Sequence, residues 1–228
     1  MSRIFSVLAV IAWLSLVTNF FVGLWIGDFN GAATAYREAS EQHRLVKFDA
    51  QAAPADKAAA TDKLKQAGEA FREPRHRMTL HFYVGVASSL LVVLVNSVTV
   101  TYFVGTSKWC KEVGETYSLS EELQGRSTVL KRQAFPWAAS SMLCIVVLVL
   151  LGGLSDPSIP LNQAEPGRSA GMVQWHYLMA MATLAFVALS FFMQATKIAE
   201  NYRAIEAILG EVRKIRIAKG LPVSEAAA

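Results

Sequence analysis

The chain has 228 residues, of which 53% are hydrophobic and 18% are charged. The charged share lies below the roughly 25% of an average soluble domain, and the apolar residues are clustered, so a membrane protein is favoured over a large soluble core. The net charge of +4 includes no basic stripe free of acids, which argues against nucleic-acid binding. The two cysteines, Cys110 and Cys144, are predicted to lie too far apart to form a disulfide.

Four uncharged runs are long enough to cross a bilayer. A helix rises about 1.5 Å per residue and the hydrocarbon core is about 30 Å thick, so about 20 apolar residues suffice. The predicted spans are residues 4–26, 78–104, 134–154 and 172–196. The first run exceeds the roughly 7–15 residues of a signal-peptide core and is interpreted as an uncleaved span. We therefore predict an all-α polytopic membrane protein, a single membrane domain over residues 1–228 with its spans in an antiparallel bundle.

Residues 28–77, between spans 1 and 2, are predicted to form an extramembrane helical hairpin. The segments 33–48 and 55–71 are rich in Ala, Glu, Lys, Gln and Arg, and Pro54 lies at the break between them. Gly31 is expected to end the helix of span 1. Nine basic residues nearly balance eight acidic ones, so the hairpin surface is predicted to be solvated rather than to bind a polyanion.

Span 2 is predicted to continue as a helix into residues 105–133, a cytoplasmic helical loop. Ser118 and Glu121 match the S-x-x-E capping box, which starts a new short helix, and Gly125 is expected to end that helix. Pro136 is placed in the first turn of span 3, where its missing N–H does no harm. The connection between spans 3 and 4 is predicted to be irregular.

Span 4 is predicted to continue as a cytoplasmic amphipathic helix over residues 197–220, followed by a frayed tail over residues 225–228. Five apolar residues form an a/d heptad stripe along it: Ile198, Ile205, Ile208, Val212 and Ile215. The stripe is expected to be covered in one of two ways. Another membrane subunit or a second copy of the chain packs on residues 197–219, or the chain's own Trp109, Val113 and Tyr117 do so.

The distribution of Lys and Arg indicates the orientation. The loop over residues 105–133 holds five, the segment after span 4 holds six, and the loop over residues 155–171 holds one. This pattern favours cytoplasmic N and C termini, and we expect a bacterial inner membrane. Arg72, Arg75 and Arg77, just before span 2, argue for the opposite orientation.

The candidate cofactor ligands are His81 and His176. Each lies about four residues inside a span, and the two spans run in the same direction, so the two imidazoles are expected at one depth. This is the arrangement that bis-His ligation of a b-type haem needs. Four residues are candidates for the surroundings of such a haem: Gly85 and Ala180 for space, and Arg75 and Arg77 for the propionates.

Two other interpretations of the histidines stay open. They anchor the helices in the headgroup region beside Tyr83, Trp175 and Tyr177, since polar aromatic side chains favour that depth. Alternatively, they contribute to a copper or zinc site drawn from His76, Met78, His81, Met172 and His176. Asn19 and Asn96, inside spans, are expected to form hydrogen bonds between helices.

No nucleophile elbow, P-loop, GxGxxG, HExxH or paired-carboxylate motif occurs, so we expect no enzymatic site in this chain. No charged residue lies inside a span, which argues against a transporter. The favoured function is an accessory or structural membrane subunit, or an interaction protein. The alternatives are a bis-His b-type cytochrome that transfers electrons near the outer face, and a membrane sensor with an extracytoplasmic hairpin. The first half of the chain resembles in outline the sensory half of a chemoreceptor.

Overall fold

The computed structural model of the protein describes residues 2–163 and 166–222, of which 91% are helical and none lies in a strand. The helices are α1 (Ser2–Trp25), α2 (Phe29–Phe48), α3 (Pro54–Thr116), α4 (Glu121–Ser155), α5 (Pro160–Gln163) and α6 (Pro166–Ala218). Helices α1, α3, α4 and α6 are long and apolar enough to cross a membrane. The predicted all-α class and the four apolar helices are therefore confirmed.

The first helix ends earlier than predicted. Gly27 has a φ of 79°, a conformation that glycine adopts without strain, and it turns the chain after Trp25. The Asp28 side chain then caps α2 by accepting a hydrogen bond of 2.9 Å from the Gly31 N–H. The prediction that Gly31 ends the helix of span 1 is wrong, because Gly31 lies in the first turn of α2.

Helix α3 has 63 residues and joins the second helix of the predicted hairpin to span 2 and its predicted extension. It begins at Pro54, where a proline needs no hydrogen-bond partner, and it continues past Phe71 through Pro74 into the second apolar run. A proline inside a helix costs about 3 kcal/mol or more, and the helix-forming residues on both sides offset that cost. The predicted extension beyond residue 104 is also helical, as far as Thr116.

Two predictions about the start of α4 are wrong. Ser118 has a φ of 52°, so it lies in the turn, and it is the Ser120 hydroxyl that accepts a hydrogen bond of 3.5 Å from the Leu123 N–H. Gly125 does not end a short helix, because α4 continues from Glu121 to Ser155. A glycine costs only about 1 kcal/mol inside a helix.

Pro136 lies in the interior of α4, 15 residues after its start, rather than in a first turn. Burial of nearby apolar side chains keeps the helix intact around it. Leu130 is 6% exposed, and Ala134 and Ala138 are fully buried. The position of Pro136 in the apolar run was therefore a poor indicator of where the helix begins.

The connection between spans 3 and 4 is shorter and more ordered than predicted. It contains α5, and the buried Asn162 side chain donates hydrogen bonds to Gly153 O at 2.9 Å and Asp156 O at 2.7 Å. These bonds satisfy carbonyl groups at the end of α4, which lack partners within their own helix. Helix α6 already begins at Pro166.

Helix α6 has 53 residues and ends close to the predicted stop. Gly220 has a φ of 64°, and the Leu221 N–H donates a hydrogen bond of 2.9 Å to Arg216 O, as in the usual glycine-terminated helix. The frayed tail predicted over residues 225–228 lies outside the described residues.

The chain divides into two compact units. The first, called the histidine unit, comprises Leu14–Leu90 and the described residues of Cys144–Leu184. The second, called the amide unit, comprises the described residues of Met1–Trp13, Leu91–Leu143 and Ala185–Ala228.

Within the histidine unit, α2 packs on the polar N-terminal part of α3. The Tyr36 and Phe71 rings stack with their centroids 5.5 Å apart, and Phe29 lies at the same distance from Phe71. The Lys63 ammonium donates a hydrogen bond of 2.8 Å to Gln42 Oε1. These contacts fix the polar segment at the end of α3 that precedes the apolar run.

Candidate functional site

The structure brings the two predicted histidines together in the histidine unit. His81 on α3 and His176 on α6 have ring centroids 6.3 Å apart, with an angle of 85° between the ring planes. They are 95 residues apart in the sequence, so only the packing of α3 against α6 makes them neighbours. The pair is the one place in the described chain where two histidine rings meet.

Each ring forms a hydrogen bond with a main-chain carbonyl of another helix, α1 for His81 and α4 for His176. His81 Nδ1 lies 3.1 Å from Asn19 O on α1, and His176 Nδ1 lies 3.2 Å from Leu148 O on α4. A carbonyl oxygen only accepts hydrogen bonds, so in each neutral ring Nδ1 carries the proton and Nε2 keeps its lone pair. Both histidines therefore join helices in the same way and leave the same nitrogen for another partner.

A glycine lies against each ring. A Cβ added at Gly23 would lie 2.9 Å from His81 Cε1, and one added at Gly152 would lie 3.1 Å from His176 Cε1. Gly23 follows Asn19 by four residues, and Gly152 follows Leu148 by four, so each ring contacts a carbonyl and a glycine one helical turn apart. Sequence reasoning missed these two glycines.

The predicted space-making residue Gly85 has a different neighbour. A Cβ at Gly85 would lie 3.0 Å from Asn19 Nδ2. The Asn19 side chain thus packs close to α3, while its own main-chain carbonyl holds His81. Asn19 Oδ1 is buried without a hydrogen-bond partner, as is the Thr183 hydroxyl in the same unit.

Arg75 and Arg77, the residues predicted to contact the haem propionates, have different surroundings. Arg77, one turn before His81, donates a hydrogen bond of 3.1 Å to Trp25 O, and its guanidinium carbon lies 4.4 Å from the Trp25 ring centroid. Its Nε is buried without a hydrogen-bond partner. Arg75 is exposed and lines a cavity with Tyr36 and His76 instead.

Among the proposed copper or zinc ligands, the histidines do not belong to a larger cluster of His, Cys, Asp or Glu in the described residues. In residues 2–163 and 166–222, no group of three or more His, Cys, Asp or Glu side chains is placed to hold one metal ion. His76 is exposed and lines the same cavity as Arg75.

The amide unit contains a buried network of polar side chains. Asn96 Nδ2 donates to Val92 O at 2.8 Å and to Ser141 Oγ at 3.3 Å. Gln194 Nε2 donates to Asn96 Oδ1 and to Ser190 Oγ, both at 2.9 Å, and the Ser190 hydroxyl donates to a carbonyl on α4 at 2.9 Å. The interhelical bonding expected of Asn96 is present, whereas the roles of Ser141, Ser190 and Gln194 were missed.

Polar bonds between α3 and α6 continue from the end of the apolar run of α3 onward. Asn201 Nδ2 donates to Tyr102 Oη at 3.1 Å and to Thr106 Oγ1 at 3.0 Å. Further along, Arg216 Nη1 donates to Tyr117 Oη at 3.1 Å. These pairs join α6 to α3 at the end of span 2 and beyond it.

The heptad stripe of α6 is mostly covered within the chain. Ile208 is fully buried and Ile198 is 2% exposed, while Ile205, Val212 and Ile215 are half-buried. On α3, Cys110 is a buried free thiol. Burial raises the pKa of the Cys110 thiol, and the neighbouring Ser127 hydroxyl opposes that shift.

Comparison of the chain with known protein families, curated proteins and solved structures gave no match.

Proposed function

We propose that the protein is an integral membrane accessory or structural subunit, or an interaction protein, without a catalytic site of its own. Its four spans form an antiparallel bundle, residues 28–77 form an extracytoplasmic helical hairpin, and both termini lie in the cytoplasm of a bacterial inner membrane. The observation that carries this proposal is that polar side chains in the spans form hydrogen bonds between helices. His81, His176, Asn96 and Gln194 each form a hydrogen bond to another helix.

Exposed apolar side chains outside the spans support a role in binding partners. On α6, Tyr202 is 57% exposed and Ile217 60%, and at the end of α2, Leu45 is 61% and Phe48 79% exposed. Apolar surface in water is unfavourable by roughly 25 cal/mol per Å², so these positions gain from being covered. The partner is another membrane subunit or a second copy that packs on residues 197–219.

The size of the native complex tests this proposal. We expect the chain, extracted from its own membrane in mild detergent, to migrate well above its 24.9 kDa monomer. The double variant Tyr202→Gln/Ile217→Gln is expected to shift it to the monomer position. Arg203→Gln/Lys214→Gln, which changes exposed polar residues of the same helix, is the matched control. A monomer in all three preparations would contradict the proposal.

A second candidate function is electron transfer by a b-type haem held between His81 and His176. The proximity of the two rings supports this candidate, since their centroids lie 6.3 Å apart at an angle of 85°, which is also the geometry of an ordinary T-shaped ring pair. The hydrogen bond of each Nδ1 to a carbonyl is also typical of metal-bound histidines, because it orients the ring and leaves Nε2 to the metal.

The absorption spectrum separates the two candidates. A haem protein purified from its native membrane shows a Soret band, and reduction with dithionite sharpens the α band of a six-coordinate haem. Loss of the band in His81→Leu and in His176→Leu, but not in His76→Leu, would identify the axial ligands. A native protein with no Soret band would eliminate haem binding and leave the structural role.

A further inference from the structure

The stacked rings of Tyr36 and Phe71 stand between two cavities of the histidine unit. One cavity, of about 440 Å³, is lined by Tyr36, Phe71, Arg37 and Arg44 together with residues of the connection after α4. The other, of about 400 Å³, is lined by Tyr36, Phe71, Arg72 and Arg75 together with His76 and Thr79. The two aromatic rings and the four arginines are here called the arginine site.

The arginine site carries an excess of positive charge. Glu41 is the one carboxylate among the residues that line the two cavities. Within the described chain, none of the four arginines forms an ion pair with a carboxylate, whereas the neighbouring Arg77 pairs with Glu73 at 3.6 Å. Four guanidinium groups without acidic partners attract anions strongly.

The near balance of charge along residues 28–77 conceals this excess. Of the nine basic residues in that segment, the four lysines line neither cavity, and Lys63 instead bonds to Gln42. Four of the five arginines in the segment line the cavities beside the aromatic stack. Arginine binds phosphate through two parallel N–H···O bonds, which lysine cannot form.

The depth of the site indicates where its ligand comes from. Arg72 and Arg75 lie three to six residues before Met78, where the apolar run begins. At about 1.5 Å per residue, they stand roughly 5–9 Å above the start of the apolar run, which is the level of lipid headgroups. Tyr36 and Phe71 add an apolar wall for the carbon atoms next to a phosphate.

We propose that the arginine site binds a phosphate-bearing anion, either the headgroup of an anionic phospholipid or a soluble phosphate compound. The arginines contact the phosphate oxygens and the aromatic stack contacts the attached carbon skeleton. This inference does not depend on the proposed accessory function. A bound ligand here is also what the sensor alternative requires.

The test uses the full-length protein purified in an uncharged detergent, with two probes. The first is inorganic phosphate, and the second is nanodiscs of phosphatidylglycerol compared with nanodiscs of phosphatidylcholine. The readouts are the melting temperature and bound adducts in native mass spectrometry. We expect Arg72→Gln/Arg75→Gln and the single variant Arg37→Gln to weaken binding about tenfold or more, since each loses a charge-assisted hydrogen bond. Helicity by circular dichroism verifies that each variant is folded.

The matched control is Lys47→Gln/Lys65→Gln, which removes the same charge from exposed positions of the same segment. Binding retained in this control and lost in the arginine variants supports the site. Protection by inorganic phosphate identifies a soluble ligand, and protection by phosphatidylglycerol alone identifies a lipid. Equal binding by all variants, equal loss in the lysine control, or no binding of either probe by the unmodified protein would overturn the proposal.

Discussion

Gln194 donates a hydrogen bond of 2.9 Å from its Nε2 to Oδ1 of Asn96, which joins α6 to α3 inside the apolar runs. Both side chains are fully buried. Because Asn96 Nδ2 is bound to Val92 O and Ser141 Oγ, its amide orientation is fixed, and Oδ1 depends on Gln194 for a donor. The pair therefore determines how the two helices meet.

The first prediction concerns this pair. Gln194→Met keeps the volume of the side chain but leaves Asn96 Oδ1 buried without a donor, which costs about 1–3 kcal/mol of unfolding free energy. Asn96→Leu/Gln194→Met removes both partners and is expected to recover most of that loss. Reversible unfolding in detergent measures both effects. Thr196→Val, at an exposed position bonded to its own helix, is the control. A double variant less stable than the sum of the single variants would refute the coupling.

The second prediction concerns the glycine against His81. Gly23→Ala would place a methyl group 2.9 Å from His81 Cε1, so the ring or α1 must shift, and we expect a loss of about 1–3 kcal/mol. Gly105→Ala is the matched control, because nothing lies within 4 Å of its new Cβ. Alanine is favoured over glycine inside a helix, so this control is expected to gain about 0.5–1 kcal/mol. Melting temperatures compare the two variants directly, and equal shifts would show that His81 does not need the glycine.

The third prediction concerns the thiol of Cys110. Its burial raises its pKa, so the native protein holds less of the reactive thiolate than an exposed cysteine does at the same pH. In a Cys144→Ala background, a maleimide reagent is expected to modify Cys110 slowly until the protein is unfolded in detergent. The control is Lys108→Cys with Cys110→Ala, an exposed position two residues away, which should react quickly.

The raised pKa of Cys110 also gives a pH dependence. Above about pH 8.5, the unfolded chain releases the thiol proton while the folded chain retains it. The unfolded state then binds fewer protons, so the free energy of unfolding falls as the pH rises. Cys110→Ala is expected to abolish this part of the alkaline loss. Unfolding curves between pH 7 and 10 for both proteins check the sign, and identical slopes would rule out a contribution from Cys110.

The sequence predicted the helices well where long uncharged runs determined the outcome, and it failed at single residues. The sequence predicts helix boundaries at Gly125 and Pro136, yet burial of Leu130 and Ala134 keeps α4 continuous around them. Local propensity is worth about 1–3 kcal/mol per residue, and packing exceeds it here.

The candidate site was partly predictable for a similar reason. The equal position of His81 and His176 in parallel spans indicated that they could meet. The carbonyl and glycine contacts of each ring depend on how α1 and α4 are rotated about their own axes. The helical period of 3.6 residues does not determine this rotation when a run is apolar on every face. The same limit explains why Gly85 was named in place of Gly23. The clustering of arginines around Tyr36 was not predicted either. The count of basic and acidic residues over 28–77 adds the charges on all faces of α2 and α3, so it does not show where the arginines gather.

The fourth prediction tests the antiparallel arrangement with single cysteines on either side of span 3. Arg126 and Ser158 are suitable labelling positions because both are exposed. Ser127 and Ser169 also flank span 3, but they are buried, so cysteines there would react poorly whatever the topology. In a Cys110→Ser/Cys144→Ala background, an impermeant maleimide is expected to label Ser158→Cys in intact spheroplasts. Arg126→Cys should be labelled only after lysis, because in the proposed topology α4, which is long and apolar enough to cross a membrane, separates the two positions. Labelling of both cysteines before lysis would mean that α4 does not span the membrane, and the reverse pattern would place both termini outside the cytoplasm.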